Sequence, residues 1–219
     1  IRIYEEPDPD AAYALGADVA TGRGQDFSAA YVVRLDDLRF VAEFHGKLDP
    51  DLFAQQLHYL ARFYNTAWVA VESAGGYGEA VIIPLRDGRE GRPAYPKLYR
   101  HEPSSRIDLS LSKQFGFPIN LKTRPLVLSQ IEKAVREQAL PYLPERLYNE
   151  CLTFVHTETL PSPRALEGCN DDAVFAAAIA LEMYRRRGSH PKREARIKLR
   201  KKRKPLVSYP WQYERGVRS

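Results

Sequence analysis

Acidic residues occupy three settings in which a carboxylate is costly. Asp18 stands between Ala17 and Val19 in an apolar run, Glu72 closes the run Trp68-Val-Ala-Val71, and Asp171-Asp172 head an alanine-rich stretch. Burying a carboxylate without compensation is expensive, so acids in such places usually have a cation or hydrogen-bond donors beside them. Brought together, they would offer an oxygen-only ligand set suited to Mg²⁺ or Mn²⁺. Each also has a plainer reading: Asp at a helix start is most often a cap, and Glu72 before a Gly-rich turn suits a solvated strand end. Asp18 resists such a reading, because Asp is depleted in strands and its neighbours here are apolar.

The elements that must position these acids follow from hydrophobic spacing. Residues 13–20 read as a buried strand, then come a Gly-rich turn, a second strand from Asp26 to 34 and a third at about 38–45. The links are too short for parallel crossovers, so the three form an antiparallel meander. Asp49-Pro50-Asp51 starts a helix, residues 68–72 form a fourth strand, and residues 73–85 give another helix. In this β-β-β-α-β-α order, a right-handed crossover places the fourth strand parallel beside the first. That arrangement would let Asp18 and Glu72 converge on the start of the last helix, residues 170–184, whose apolar residues run nearly all round and predict a helix lying across a sheet.

Between those elements the pattern weakens. Residues 87–118 are loop-rich with one expected strand at 97–100. Thr123-Arg-Pro125 starts a helix to about 138, with Thr123 as cap and Leu126, Leu128, Ile131, Ala134 and Val135 facing inward. Residues 148–155 are apolar enough to be half buried. Asp26 re-enters beside Asp18 across the first hairpin, where it would either support a metal ligand from behind or serve as a turn acid. The Gly22 to Gly24 turn lies between strands, which suits a hairpin better than a phosphate cradle. His45, His58, His101, His156 and His190 show no ligand spacing and read as surface or satisfied histidines. Lys113 and Arg124 are candidates for phosphate contact, although solvated charges are commoner.

The 219 residues have room for one sizeable core. A composition of 44% hydrophobic, 28% charged and 11% aromatic residues excludes disordered and collagen-like chains. No apolar run reaches the ~18 residues of a membrane span, and residues 1–10 carry no export signal, so an intracellular protein without a membrane is expected. Cys151 and Cys169 are too few for a disulfide framework or a four-cysteine zinc site. The net charge of +5 conceals a division: residues 185–204 hold twelve Lys/Arg against Glu194, while residues 1–184 hold nineteen basic against twenty-six acidic side chains. An acidic metal-using body thus carries a basic end, including Arg200, Lys201, Lys202 and Arg203, suited to polyanions or a partner. A merely solubilising end has the same composition. The expected organisation is a body over 1–187 and a basic tail over 188–219.

Taken in order, Gly16-Ala-Asp18-Val-Ala-Thr-Gly22, Asp26-Phe-Ser-Ala-Ala30, Val69-Ala-Val-Glu72-Ser-Ala-Gly-Gly76, Thr123-Arg-Pro125 and Asn170-Asp-Asp172-Ala-Val resemble the nuclease domain of large terminase subunits, the DNA-packaging motors of tailed bacteriophages. The resemblance spans about residues 11–184 and rests on the ordered set, since no single motif suffices. It implies an α/β, ribonuclease H-like mixed sheet, a three-stranded antiparallel meander plus parallel strands, flanked by helices. It further implies endonuclease cutting of concatemeric double-stranded viral DNA in the cytoplasm of the infected host. Two divalent ions, Mg²⁺ or Mn²⁺, would be held by Asp18, Glu72 and Asp172, with Asp171 beside them. Asp172 is preferred over Asp171 because the residue followed by Ala-Val matches related resolvase-type helices better. Two such ions ~4 Å apart would clamp the scissile phosphate, with little sequence preference. By the same resemblance the partners are the portal and the small terminase subunit. Two departures stand out: Asn170 replaces the His that many relatives carry, and the packaging ATPase that precedes this domain in the family is missing, as is any phosphate loop, so the chain is expected to be a fragment.

Other classes fit less well. A Holliday-junction resolvase would share the core and the clustered acids. An actin-like sugar kinase would need a second phosphate hairpin and about twice the length. A non-catalytic docking module for DNA or a partner would look alike in sequence.

Overall fold

The computed structural model describes residues 1–21, 27–74, 76–101, 114–155 and 163–188. Asp26 and the Gly22 to Gly24 turn, Lys113, His156, His190 and the tail from 189 on, with its Arg200, Lys201, Lys202 and Arg203, lie outside the described residues. Strands β1 (Arg2–Ile3), β2 (Tyr13–Asp18), β3 (Ser28–Arg34), β4 (Arg39–Gly46) and β5 (Trp68–Val71) form one mixed sheet in the order β1-β4-β3-β2-β5. The expected meander is present as β2, β3 and β4, each antiparallel to the next, and β5 lies parallel to β2 with Ala17 opposite Val71. β1 was not anticipated: it is two residues long and exposed, and it pairs with β4 through Arg2 opposite Glu43.

Helices cover both faces. On one side α1 (Pro50–Phe63) and α2 (Tyr77–Asp87) pack Phe53, Leu57, Val81, Ile82 and Leu85 onto Leu15, Ala17, Val32 and Val69. On the other, α3 (Thr123–Arg136), α4 (Glu145–Leu152) and α5 (Asp172–Arg187) cover Ala14, Tyr31, Val33 and Ala70. With layers on both sides, every residue of β2 is buried, as expected for a central strand covered on both faces. Ala173 to Tyr184 of α5 are likewise buried all round. Glu182, the acid among them, is held by Arg185 and Arg186 at 2.7 Å each.

Close seating of α5 depends on small residues. A Cβ built on Gly16 would lie 2.3 Å from the Ala180 amide nitrogen and 2.5 Å from the Ala176 carbonyl oxygen, so only glycine allows the helix backbone this near to β2. Gly78 does the same for α2, where a Cβ would fall 1.8 Å from the Glu72 carbonyl oxygen.

Four local expectations are corrected or refined. Residues 97–100 make single bridges, Val69 with Leu98 and Arg100 with Phe115, in place of a strand, and Phe117 pairs with Glu72 to extend the sheet edge. α3 buries Val127 with Leu128, Ile131 and Ala134, leaving Leu126 and Val135 exposed. Leu128, Ile131 and Ala134 thus face inward as expected, while Val127 takes the place expected for Leu126 and Val135. Thr123 is the first residue of α3 and not its cap: its hydroxyl donates to the Pro118 carbonyl and accepts from the Asn120 amide. The half-buried stretch expected at 148–155 resolves into the end of α4, where Tyr148 and Leu152 are exposed, and a short strand β6 (Phe154–Val155) paired with β7 (Arg164–Ala165). Among the described residues no helix is long and apolar enough to cross a membrane.

Substituting Gly16 by Ala forces α5 off the sheet. A loss of about 2–3 kcal/mol is expected in urea unfolding, typical of overpacking a filled core; an unchanged midpoint would show that the helix can shift at no cost.

Candidate active site

Side chains alternate across a strand, so residues sharing parity share a face. On β2, Ala14 and Gly16 face α5, and Asp18 follows them onto that side. On β5, Ala70 faces α5 and Glu72, two residues on, continues the series past the strand end. The Glu72 amide donates to the Ala17 carbonyl at 2.8 Å, which fixes the two acidic positions side by side at one end of the parallel pair. α5 starts above them with Asp171 as its cap residue and Asp172 as its first.

The electrostatics report the convergence directly. Asp18 is 9% exposed. Its carboxyl is pushed well above the ordinary carboxylate range, first by burial, then by a hydrogen bond with Glu72 and the charges of Glu72, Asp172 and Asp171. Donors are arranged around the cluster: the Val19 amide at 3.1 Å from Asp18 Oδ1, the Phe27 amide at 3.3 Å from Asp172 Oδ2, and Arg124 Nη2 at 3.7 Å from Asp171 Oδ2. Arg124 also lies over the Phe175 ring, 4.4 Å from its centroid. Of the expected site residues, Asp18, Glu72, Asp171, Asp172 and Arg124 are thus gathered at one place.

The oxygen-only, multiply anionic donor set suits a hard divalent cation. Among the described residues no three His, Cys, Asp or Glu side chains already stand as a ligand set for one ion. Asp18 and Glu72 instead engage each other through a side-chain hydrogen bond.

One residue of this region escaped the sequence reading. Glu150 of α4 is buried, and its Oε2 accepts from the Ala173 amide at 2.8 Å and from the Val174 amide at 3.4 Å. It satisfies the opening N–H groups of α5, a capping role taken here by a side chain from another helix. Burial raises its pKa to about 7, with the Asp172 charge adding and the two backbone donors opposing. No local signal marks it, since Glu145-Arg-Leu-Tyr-Asn-Glu150 reads as an ordinary polar helix. His45 departs from expectation in the other direction: its Nε2 is buried without a hydrogen-bond partner. Its ring stacks on Phe27 at 4.3 Å.

No family model matches the sequence, and no curated protein matches it. Solved structures do. The large terminase nuclease of thermophilic phage G20c with bound magnesium superposes with a TM-score of 0.61 at 19% identity, covering 82% of this chain and 85% of that one. The Thermus phage P74-26 large terminase nuclease domain gives 0.58 at 18%, covering 83% and 84%. The G20c nuclease with bound zinc gives 0.57 at 18%, covering 83% and 86%. The chain has the fold of phage large terminase nucleases. Within that ribonuclease H-like frame the acids sit at the ends of the two parallel central strands and at the head of the helix crossing them.

Two outcomes follow. In chelator, the folded protein keeps a proton on Asp18 that the unfolded chain releases near 3.8, so stability falls as pH rises from there through the raised folded value. Asp18→Asn removes that burden and is expected to stabilise the metal-free protein by about 1 kcal/mol at pH 8, read as a higher Tm; a lower Tm would contradict it. Glu150→Ala leaves the first α5 amides without their acceptor and is expected to lower stability by about 1–3 kcal/mol in urea unfolding, with Glu150→Gln recovering part of the loss.

Proposed function

We propose that the chain is a metal-dependent endonuclease that cuts double-stranded DNA by phosphodiester hydrolysis during viral genome packaging. The observation that carries this reading is the meeting of Asp18, Glu72 and Asp172, separated by up to 154 positions in sequence, on one face at one sheet end. The fold shared with the phage nucleases supports it, and the magnesium and zinc in the G20c structures support divalent ions as the cofactor.

Asp18, Glu72 and Asp172 would hold two Mg²⁺ or Mn²⁺ ions, with Asp171 assisting. Bound there, the ions would supply Lewis-acid charge neutralisation and an acidified water for attack at phosphorus. The residues supply position and charge. The Val19 and Phe27 amides fix the rotamers of Asp18 and Asp172 through their carboxylate oxygens. Glu72 is held at its height by the hydrogen bond its backbone N–H donates to the Ala17 carbonyl and by the close approach of Gly78 to its own carbonyl. Arg124 offers a cation beside Asp171 for a phosphate oxygen of the strand. Backbone contact dominates such an interface, so sequence preference should be weak.

As proposals from the same likeness, the chain works with a packaging ATPase, a portal and a small terminase subunit in the cytoplasm of an infected bacterium. The basic tail 188–219, with Arg200, Lys201, Lys202 and Arg203, would grip DNA or one of these partners. Asp26 would support Asp18 from behind, and Lys113 would add a phosphate contact.

A plasmid-nicking assay with Mg²⁺ and with Mn²⁺ tests the reading. Asp18→Asn, Glu72→Gln and Asp172→Asn are each expected to lose about 100-fold or more in rate. Equal cutting by all four proteins would sink it, and a strong preference for four-way junctions over linear duplex would transfer it to the resolvase class.

A further inference from the structure

Beside the head of α5, α4 and the N-terminal strand line an open cleft of about 420 Å³. Its lining includes Arg2, Arg146, Asn149, Glu150 and Asn170. The volume falls within the roughly 300–1,000 Å³ usual for ligand pockets. Asn170 precedes the acidic pair in the chain and Glu150 caps the helix those acids begin, so the cleft adjoins the carboxylate cluster.

Its charge is what makes it unusual. Among the described residues Arg146 forms no ion pair, and its Nε is buried with no hydrogen-bond partner. That N–H has given up hydration without receiving an acceptor, which is costly unless an anion completes it. Arg2 adds a second guanidinium, exposed and only loosely tied to Glu43 at 3.6 Å. Of the two acids of the lining, Glu150 feels the Arg146 charge but spends its Oε2 on the α5 amides, and Glu145 is exposed. The field is felt nearby. His45 is pushed down to about 4, first by burial and then by the positive charge of Arg146, with Arg2 adding and Glu43 opposing.

We propose that this cleft binds a phosphodiester group of the DNA strand, next to the one that lies on the carboxylates, with the Arg146 fork as its main donor and Arg2, Asn149 and Asn170 around it. The proposal rests on the nuclease reading and adds to it a site outside the carboxylates. A planar guanidinium meets two phosphate oxygens at once, which gives orientation as well as attraction. Anchoring the strand on both sides of α5's first turn would fix which phosphate reaches Asp18 and Glu72.

The test uses the full 219-residue chain. Binding of a fluorescent 25-base-pair duplex is followed by anisotropy in chelator at several salt concentrations, and cutting of the same duplex is followed with Mn²⁺. Arg146→Gln is expected to weaken binding about 5–10-fold and to lower the salt slope by about one, with the kinetic loss falling on KM more than on kcat. Arg146→Lys should fall between, because it keeps charge and loses the fork. Asn149→Asp, on an exposed position, should weaken binding without touching the fold. Arg136→Gln, an exposed arginine on α3, serves as the control. Inorganic phosphate at millimolar concentration should compete with the duplex in the wild type and less so in Arg146→Gln; competition by phosphate with unchanged duplex affinity would mean a free-anion site and overturn the strand assignment. If the wild type cuts DNA while Arg146→Gln and Asn149→Asp match it in affinity and salt slope, the cleft falls and the nuclease reading stands. A loss in Arg136→Gln equal to that in Arg146→Gln would overturn the cleft as a specific site. A wild type that neither binds nor cuts would overturn both.

Discussion

Holding several carboxylates together inside a protein opposes two strong tendencies, hydration of the ions and repulsion between them. The structure meets this constraint at the C-terminal ends of β2 and β5, and much of its design follows from it. Asp18 yields by keeping its proton. Asp172 sits at a helix start, where the backbone dipole favours negative charge, and takes an amide hydrogen bond from Phe27. Asp171 lies beside Arg124. Among the described residues, the surrounding peptide groups and the Arg124 guanidinium thus moderate the cluster without neutralising it.

The same constraint explains the placement of the smallest residues. A helix can present its first turn to the end of a central strand only if its body lies close along that strand, and this requires a gap in the side-chain layer. Gly16 supplies the gap under α5, and the alanines of the helix meet it from above. Gly78 supplies another where α2 passes under the Glu72 carbonyl. Packing and chemistry therefore use adjacent positions of one strand, with Gly16 and Asp18 two residues apart on the same face.

The central design was legible because it is written in short-range patterns. An Asp inside an apolar strand, a Glu closing another and an acidic pair heading an all-apolar helix each stand out against their neighbours, and short links between the first three strands leave little choice of topology. Glu150 and Arg146 were not legible, because both lie on a polar eight-residue helix where charge is unremarkable and their roles arise from what α4 packs against. The edges of the inward face of α3 were missed for a similar reason, while Leu128, Ile131 and Ala134 were read correctly. Leu126 and Val127 are adjacent and both apolar, so spacing alone does not decide which faces in, and contact with α5 decides for Val127. At residues 97–100 the β-prone sequence is present, but only single bridges form beside β5, so pairing is broken into separate contacts. β1 is too short to leave any pattern at all.

The seating of α5 on Gly16 makes that helix the gauge of the whole centre. Its groove in β2 sets how far its first turn projects beyond the strand ends, so a slide of the helix by a fraction of a turn would change the spacing of the acids by the same amount. Core substitutions far from any acid, at Ala176 or Ala180 for instance, would then register as altered spacing of the acids well before the chain lost its shape. The geometry of the acids in this way reaches deep into the apolar interior, and the alanine run of α5 matters for its dimensions as much as for its hydrophobicity.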